Sequence, residues 1–124
     1  MTGIVRIAAL AAVGLAAGAG LGGCGSPSEH RVGVTATDSS CRPATTELRA
    51  GRLTFAVTNK GTKTTELYLY AAGDKVMGEV ENVGPGTTRN LTATVPAGDY
   101  QLACKPGMEG SGVRTDVHVS GGAM

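Results

Sequence analysis

From Arg31 onward, apolar and polar residues alternate with period two, and the pattern is interrupted at short intervals by Gly, Pro, Asn and Asp. Such alternation predicts half-buried strands, because successive side chains of a strand point to opposite faces. Val32, Val34 and Ala36 alternate with Gly33, Thr35 and Thr37 up to Asp38-Ser39-Ser40. Leu53, Phe55 and Val57 form a second one-sided strand that stops at Asn59-Lys60-Gly61. Residues Glu66 to Ala71 follow, with Leu67 and Leu69 on one face and Glu66, Tyr68 and Tyr70 on the other. Val76 to Val83 is closed by Gly84-Pro85-Gly86, and Leu91, Ala93 and Val95 run to Pro96-Ala97-Gly98-Asp99. Tyr100, Leu102 and Cys104 share a face, and Val113, Val117 and Val119 mark the last strand. With a short strand at Glu47-Leu48, seven or eight strands are expected in roughly 90 residues, the spacing of a sandwich or barrel. No stretch has the 3.6-residue periodicity and length of a solid amphipathic helix, and no internal repeat is visible.

The first residues are read separately. Met1 to Arg6 carries one positive charge, and Ile7 to Leu21 is an uncharged run of 15 residues. That run is shorter than the roughly 20 apolar residues of a spanning helix and has the layout of a targeting signal. It ends at Leu21-Gly22-Gly23-Cys24, which resembles the lipobox of bacterial lipoproteins. Residues 1–23 are therefore expected to be a lipoprotein signal peptide and Cys24 the lipidated residue. Residues 24–30 would be a polar tether, 31–120 the domain and 121–124 a flexible tail. The expected location is extracytoplasmic, with the domain anchored to the bacterial cell membrane through its lipid.

Composition narrows the function classes. The 124 residues suffice for one ordinary domain. Eleven Lys and Arg stand against ten Asp and Glu without clustering, so a nucleic-acid-binding face is not expected. No nucleophile-elbow motif is present to suggest a hydrolase. Tyr68, Tyr70 and Tyr100 are read as packing residues. Once Cys24 is assigned to lipid, Cys41 and Cys104 remain. Outside the cytoplasm such a pair either closes a disulfide or holds a soft metal, and both readings stand at this point.

Chemistry concentrates in Tyr100-Gln101-Leu102-Ala103-Cys104-Lys105-Pro106-Gly107-Met108-Glu109-Gly110, where a strand-ending Cys is followed by a tight loop and a thioether. Sulfur donors favour copper, particularly Cu(I). The segment resembles the copper-binding loop of cupredoxins, with the departure that Gly107 and Met108 stand where a His is expected. His30 and His118 are not placed to supply imidazoles. Upstream, Asn59-Lys60-Gly61 precedes Glu66, which occupies the position of the first ligand His in the cupredoxin pattern. Together with Cys41-Arg42-Pro43 and Glu79-Val80-Glu81-Asn82-Val83-Gly84-Pro85-Gly86, this order resembles the N-terminal cupredoxin-like domain of the EfeO family, the extracytoplasmic component of EfeUOB-type bacterial iron uptake. The likeness runs from about Val32 to Val119.

The resemblance implies a cupredoxin-like Greek-key β-sandwich with a copper or iron ion held by Cys41, Glu66 and Cys104, with Met108 as a further donor. Glu79, Glu81 and Glu109 are additional candidates, although Glu79 and Glu81 share a strand phase that also suits a solvated face. Implied partners are an iron permease or a separate helical EfeO-type protein, alongside the membrane. Ferrous-iron oxidation is the one catalytic activity left open, and no catalytic residue is assigned. The competing reading is a sandwich closed by a Cys41–Cys104 disulfide that serves as a metal-free interaction module.

Overall fold

The computed structural model describes residues 29–121. The signal segment, Cys24 and residues 122–124 lie outside the described residues. Nine strands form: β1 (Glu29–Ala36), β2 (Cys41–Pro43), β3 (Glu47–Arg49), β4 (Gly51–Asn59), β5 (Thr65–Ala71), β6 (Lys75–Val83), β7 (Thr88–Val95), β8 (Gly98–Cys104) and β9 (Val113–Ser120). Two single 3-10 turns, Ala72–Asp74 and Pro106–Met108, interrupt them.

The strands make a sandwich of a four-stranded sheet, ordered β2-β1-β4-β7, and a five-stranded sheet, ordered β3-β9-β8-β5-β6. Both are mixed, because β1 pairs in parallel with β4 and β3 in parallel with β9. This is the expected all-β sandwich, and the alternation in sequence explains it directly. Val32, Val34 and Ala36 of β1, Leu53, Phe55 and Val57 of β4, and Leu91, Ala93 and Val95 of β7 line the inner face of one sheet. Leu67 and Leu69 of β5, Tyr100, Leu102 and Cys104 of β8, and Val117 and Val119 of β9 line the other. Burial of these side chains on both inner faces is the main driving force for the fold.

Two expectations are refined. Within the described residues, Glu29 and His30 of β1 pair with Arg52 and Leu53 of β4, so these two residues of the segment read as tether belong to the sheet. Strand β2 is an element that the periodicity does not reveal. It pairs Cys41, Arg42 and Pro43 with Ala36, Thr35 and Val34 and places Cys41 in the core.

The loops at one end of the sandwich are tied by two polar devices. Asn59 is buried, and its amide nitrogen donates to the carbonyls of Lys63 and Val83, each at 2.8 Å, while its Oδ1 accepts from the Gly61 N–H at 2.8 Å. Asp38, from the β1–β2 connection, accepts from the Thr62 amide at 2.9 Å and the Thr62 hydroxyl at 2.5 Å. Those bonds hold its carboxyl below the usual carboxylate range. The sequence's candidate residues Cys41, Glu66, Cys104 and Met108 are on or beside this end.

Candidate metal centre

Cys104 is the last residue of β8 and stands opposite Leu67 of β5, both fully buried. Cys41 opens β2 on the other sheet. The two sulfurs are 1.99 Å apart with Cα atoms separated by 5.4 Å, a disulfide that joins the two sheets through the core. Thr115 Oγ1 donates to the Cys41 carbonyl at 2.5 Å and fixes the β2 backbone against β9. In this state neither sulfur is a thiolate, and the thiolate is the form that ligates a metal.

Glu66 does not join the sulfurs. It precedes Leu67, which faces inward beside Cys104, and alternation turns Glu66 to the outer face of the five-stranded sheet. There it is two residues from Tyr68, whose side chain shares that face. Met108 does not converge on them either. It ends the Pro106–Met108 turn with a φ of 55° and is 41% exposed. The loop carrying it is fastened by its backbone, through Lys105 N–H to Glu66 O at 2.9 Å and Gly107 N–H to Thr64 O at 2.8 Å. Gly112 closes the loop with a φ of +80°, and a Cβ there would lie 2.8 Å from the Cys104 carbonyl oxygen. The expected set of Cys41, Glu66, Cys104 and Met108 is thus divided in the oxidised protein: two sulfurs bonded in the core, a carboxylate outside the sheet and a thioether toward solvent.

The imidazoles are remote. His118 pairs with Asp99 at the start of β8, five residues and roughly 17 Å of strand from Cys104. Its Nδ1 is 2.8 Å from Asp99 Oδ1, a contact that raises its pKa above the ordinary histidine value. His30 pairs with Leu53 in β1, and its Nε2 is buried without a hydrogen-bond partner. Among the described residues, no three His, Cys, Asp or Glu side chains are gathered as a metal cluster. A copper site of two imidazoles and one thiolate therefore does not fit these residues.

A polar array instead occupies the outer face of the five-stranded sheet, and the sequence read its tyrosines only as packing. Tyr100 does pack in the core, with its hydroxyl donating to the Pro96 carbonyl at 2.7 Å. Tyr68 and Tyr70 turn outward, stacked at 5.4 Å between ring centroids and 11° between planes. Lys105 Nζ lies 4.0 Å above the Tyr68 ring, and the Arg114 guanidinium 4.5 Å above that of Tyr70. Arg114 also pairs with Asp74 at 2.6 Å, which lowers the Asp74 pKa and raises that of Arg114. Tyr68 stands opposite Glu79 of β6 in the β5–β6 register. The neighbouring carboxylates, Glu79 first and then Glu66, hold the Tyr68 pKa well above the ordinary phenol value. The like phase of Glu79 and Glu81 is broken beyond this pair, where the register shifts between Thr65 and Leu67 and Asn82 takes a φ of 56°. A groove of about 580 Å³ lies farther along the same sheet, bordered by Glu47, Tyr70, Asp99, Asp116 and His118.

Comparison with known proteins agrees with this architecture. Auracyanin B superposes with a TM-score of 0.60 at 16% identity, covering 77% of this chain and 91% of that one. Auracyanin A, a blue copper protein from Chloroflexus aurantiacus, superposes with a TM-score of 0.55 at 15% identity, covering 75% of this chain and all of the other. At such identities the likeness is one of fold. In sequence, the iron uptake system component EfeO of Escherichia coli and of Shigella flexneri is 35% identical over 74 residues, which is 60% of this chain. The matched segment spans 20% of the length of EfeO. The family model described as the cupredoxin-like domain matches residues 5–115, and the chain belongs to that family.

Proposed function

We propose that this protein is an extracytoplasmic, metal-handling accessory of bacterial iron uptake, with iron as its cargo. The observation that carries the reading is the 35% identity to EfeO over 74 residues, in a chain that belongs to the cupredoxin-like family. Among the described residues no imidazole stands near the cysteine sulfurs, which argues against a blue-copper electron carrier, and the outward carboxylates of the five-stranded sheet offer hard oxygen donors instead. Lipidation at Cys24 would keep the domain at the membrane surface, within reach of an iron permease or of a separate helical EfeO-type protein. Copper binding through Cys41 and Cys104 would first require reduction of their disulfide.

Equilibrium dialysis of the full chain against iron and copper, with thiols counted before and after mild reduction, tests the reading. Binding of about one iron per chain in the disulfide-bonded form supports it, and indifference to iron in both redox forms refutes it. The disulfide specifically favours a second reading, a metal-free interaction module with a covalently closed core. Co-purification with a membrane partner that persists in a metal-chelated sample is its expected signature.

A further inference from the structure

Charges that are interspersed along the sequence are separated by sheet in the fold. Strands β1, β2, β4 and β7 contain Arg31, Arg42, Arg52 and Arg89 against one carboxylate, Glu29, a formal balance of +3 with histidine neutral. The strands of the other sheet contain six carboxylates against Arg49, Lys75 and Arg114, a balance of −3. Arg31, Arg42 and Arg52 stand on the outer face of the four-stranded sheet, because Val32, Cys41 and Leu53 beside them point into the core. All three are exposed. The rest of that face is uncharged and rich in hydroxyls. Thr54 bonds to Thr92 at 3.1 Å and Thr58 to Thr88 at 2.8 Å across β4 and β7, and Arg31 donates to Asn90 Oδ1 at 3.2 Å. Among the described residues, no large apolar side chain is exposed there.

The positive sheet is also the one that leads back to the proposed anchor. Cys24 precedes Glu29 of β1 by five residues, a reach of about 17 Å at full extension. A lipid on Cys24 therefore holds β1 close to the headgroups. At that range a domain whose two sheets cancel in charge is still turned by the difference between its faces. An anionic surface attracts each nearby Arg and repels each nearby carboxylate, and its field fades over about 8 Å at physiological ionic strength. Stacked sheets lie roughly 10 Å apart, so the face in contact feels the field while the far face is screened. We infer that the outer face of the four-stranded sheet is a membrane-docking surface, laid on anionic phospholipid with Arg31 and Arg42 against the phosphates. The inference rests on the anchoring proposed above and adds the orientation of the anchored domain. Threonine hydroxyls and the Asn90 amide supply further donors to headgroup oxygens. Docking is peripheral, since that face has no apolar wedge to insert. The carboxylates of the five-stranded sheet then face away from the membrane, toward arriving cations and protein partners.

The test is paramagnetic relaxation enhancement in NMR spectra of the protein purified from membranes and placed in nanodiscs that carry a gadolinium chelate on a lipid headgroup. Discs of phosphatidylcholine mixed with phosphatidylglycerol are compared with discs of phosphatidylcholine alone. In the anionic discs the amides of Gly33, Ala56 and Thr92 should show enhancements about fivefold or more above those of Gln101 and Asp116, given the roughly 10 Å between the sheets. The contrast should collapse in neutral discs, in high salt and in Arg31→Gln/Arg42→Gln. Both substitutions are at exposed positions, so circular dichroism should report an unchanged fold, and the salt arm reads the same interaction without any substitution. Equal enhancement on both sheets in anionic discs, stronger enhancement at Gln101 and Asp116, or a contrast indifferent to salt and to the double variant overturns the docking face and leaves the anchoring intact. A chain that carries no lipid at Cys24 and stays off the discs overturns both.

Discussion

Replacing both core cysteines by alanine isolates the contribution of the bond between the sheets. Cys41 and Cys104 are 63 residues apart in sequence. In the chain-entropy description, a cross-link closing a loop of that length removes conformational freedom from the unfolded chain worth about 4 kcal/mol at 25 °C. Both residues are at least 98% buried, so truncation also removes packed sulfur, although each alanine leaves only a small void. For a domain of this size, 1 kcal/mol corresponds to about 4–8 °C in Tm, giving an expected fall of roughly 15–30 °C. The assay is urea unfolding and thermal melting of Cys41→Ala/Cys104→Ala beside the native protein, with the reduced native protein as a third sample. The reduced protein and the double variant should lose similar stability, because both have lost the same constraint. A loss below about 1 kcal/mol in the double variant would refute the argument and show that the packed core alone holds the two sheets together.

Three other perturbations test separate parts of the structure. Asn59→Ala removes three hydrogen bonds at a buried position and leaves two carbonyls and one N–H to find other partners; a loss of about 2–3 kcal/mol is expected in urea unfolding. Gly112→Ala forces a side chain into the left-handed region and against the Cys104 carbonyl, so it should cost about 1–3 kcal/mol or more by the same measurement, whereas Gly33→Ala, with open space around it, should be far milder. His118 has its pKa raised by Asp99, so this pair stabilises the fold fully below the unfolded histidine value near 6.5 and loses that contribution as pH rises through the higher folded value. Proton NMR titration should place the His118 pKa above 6.5 in the native protein and return it toward that value in Asp99→Asn.

Most strands are legible in the sequence because their alternation is local. Leu53, Phe55 and Val57, or Leu91, Ala93 and Val95, declare an inward face without knowledge of any partner. Strand β2 is hidden because three residues ending in Pro43 carry too little pattern to distinguish a strand from a turn, and its pairing with β1 is what orders it. The same alternation that places Leu67 and Leu69 inward also places Glu66 outward, so its separation from Cys104 follows once β5 is paired with β8. That pairing is a long-range fact. The meeting of Tyr68 with Glu79 depends in turn on the β5–β6 register, which includes two shifts that periodicity alone does not contain. The cysteine count narrows Cys41 and Cys104 to a disulfide or a soft-metal pair, and only three-dimensional proximity brings their sulfurs together.

The parallel pairing of β3 with β9 has a consequence for how the chain is made. A polypeptide emerges N-terminus first, and hairpins can form as soon as both strands are out. Strand β3 has to wait for Val113–Ser120, the last strand of the domain, before its backbone finds a partner. Cys41 likewise has to wait for Cys104. Until then the chain presents an unmatched strand edge and a free thiol, the two features most prone to wrong partners. A chain interrupted before β9 is therefore an incomplete sheet rather than a smaller stable one, and the last eight-residue strand acts as the clasp that commits everything synthesised before it.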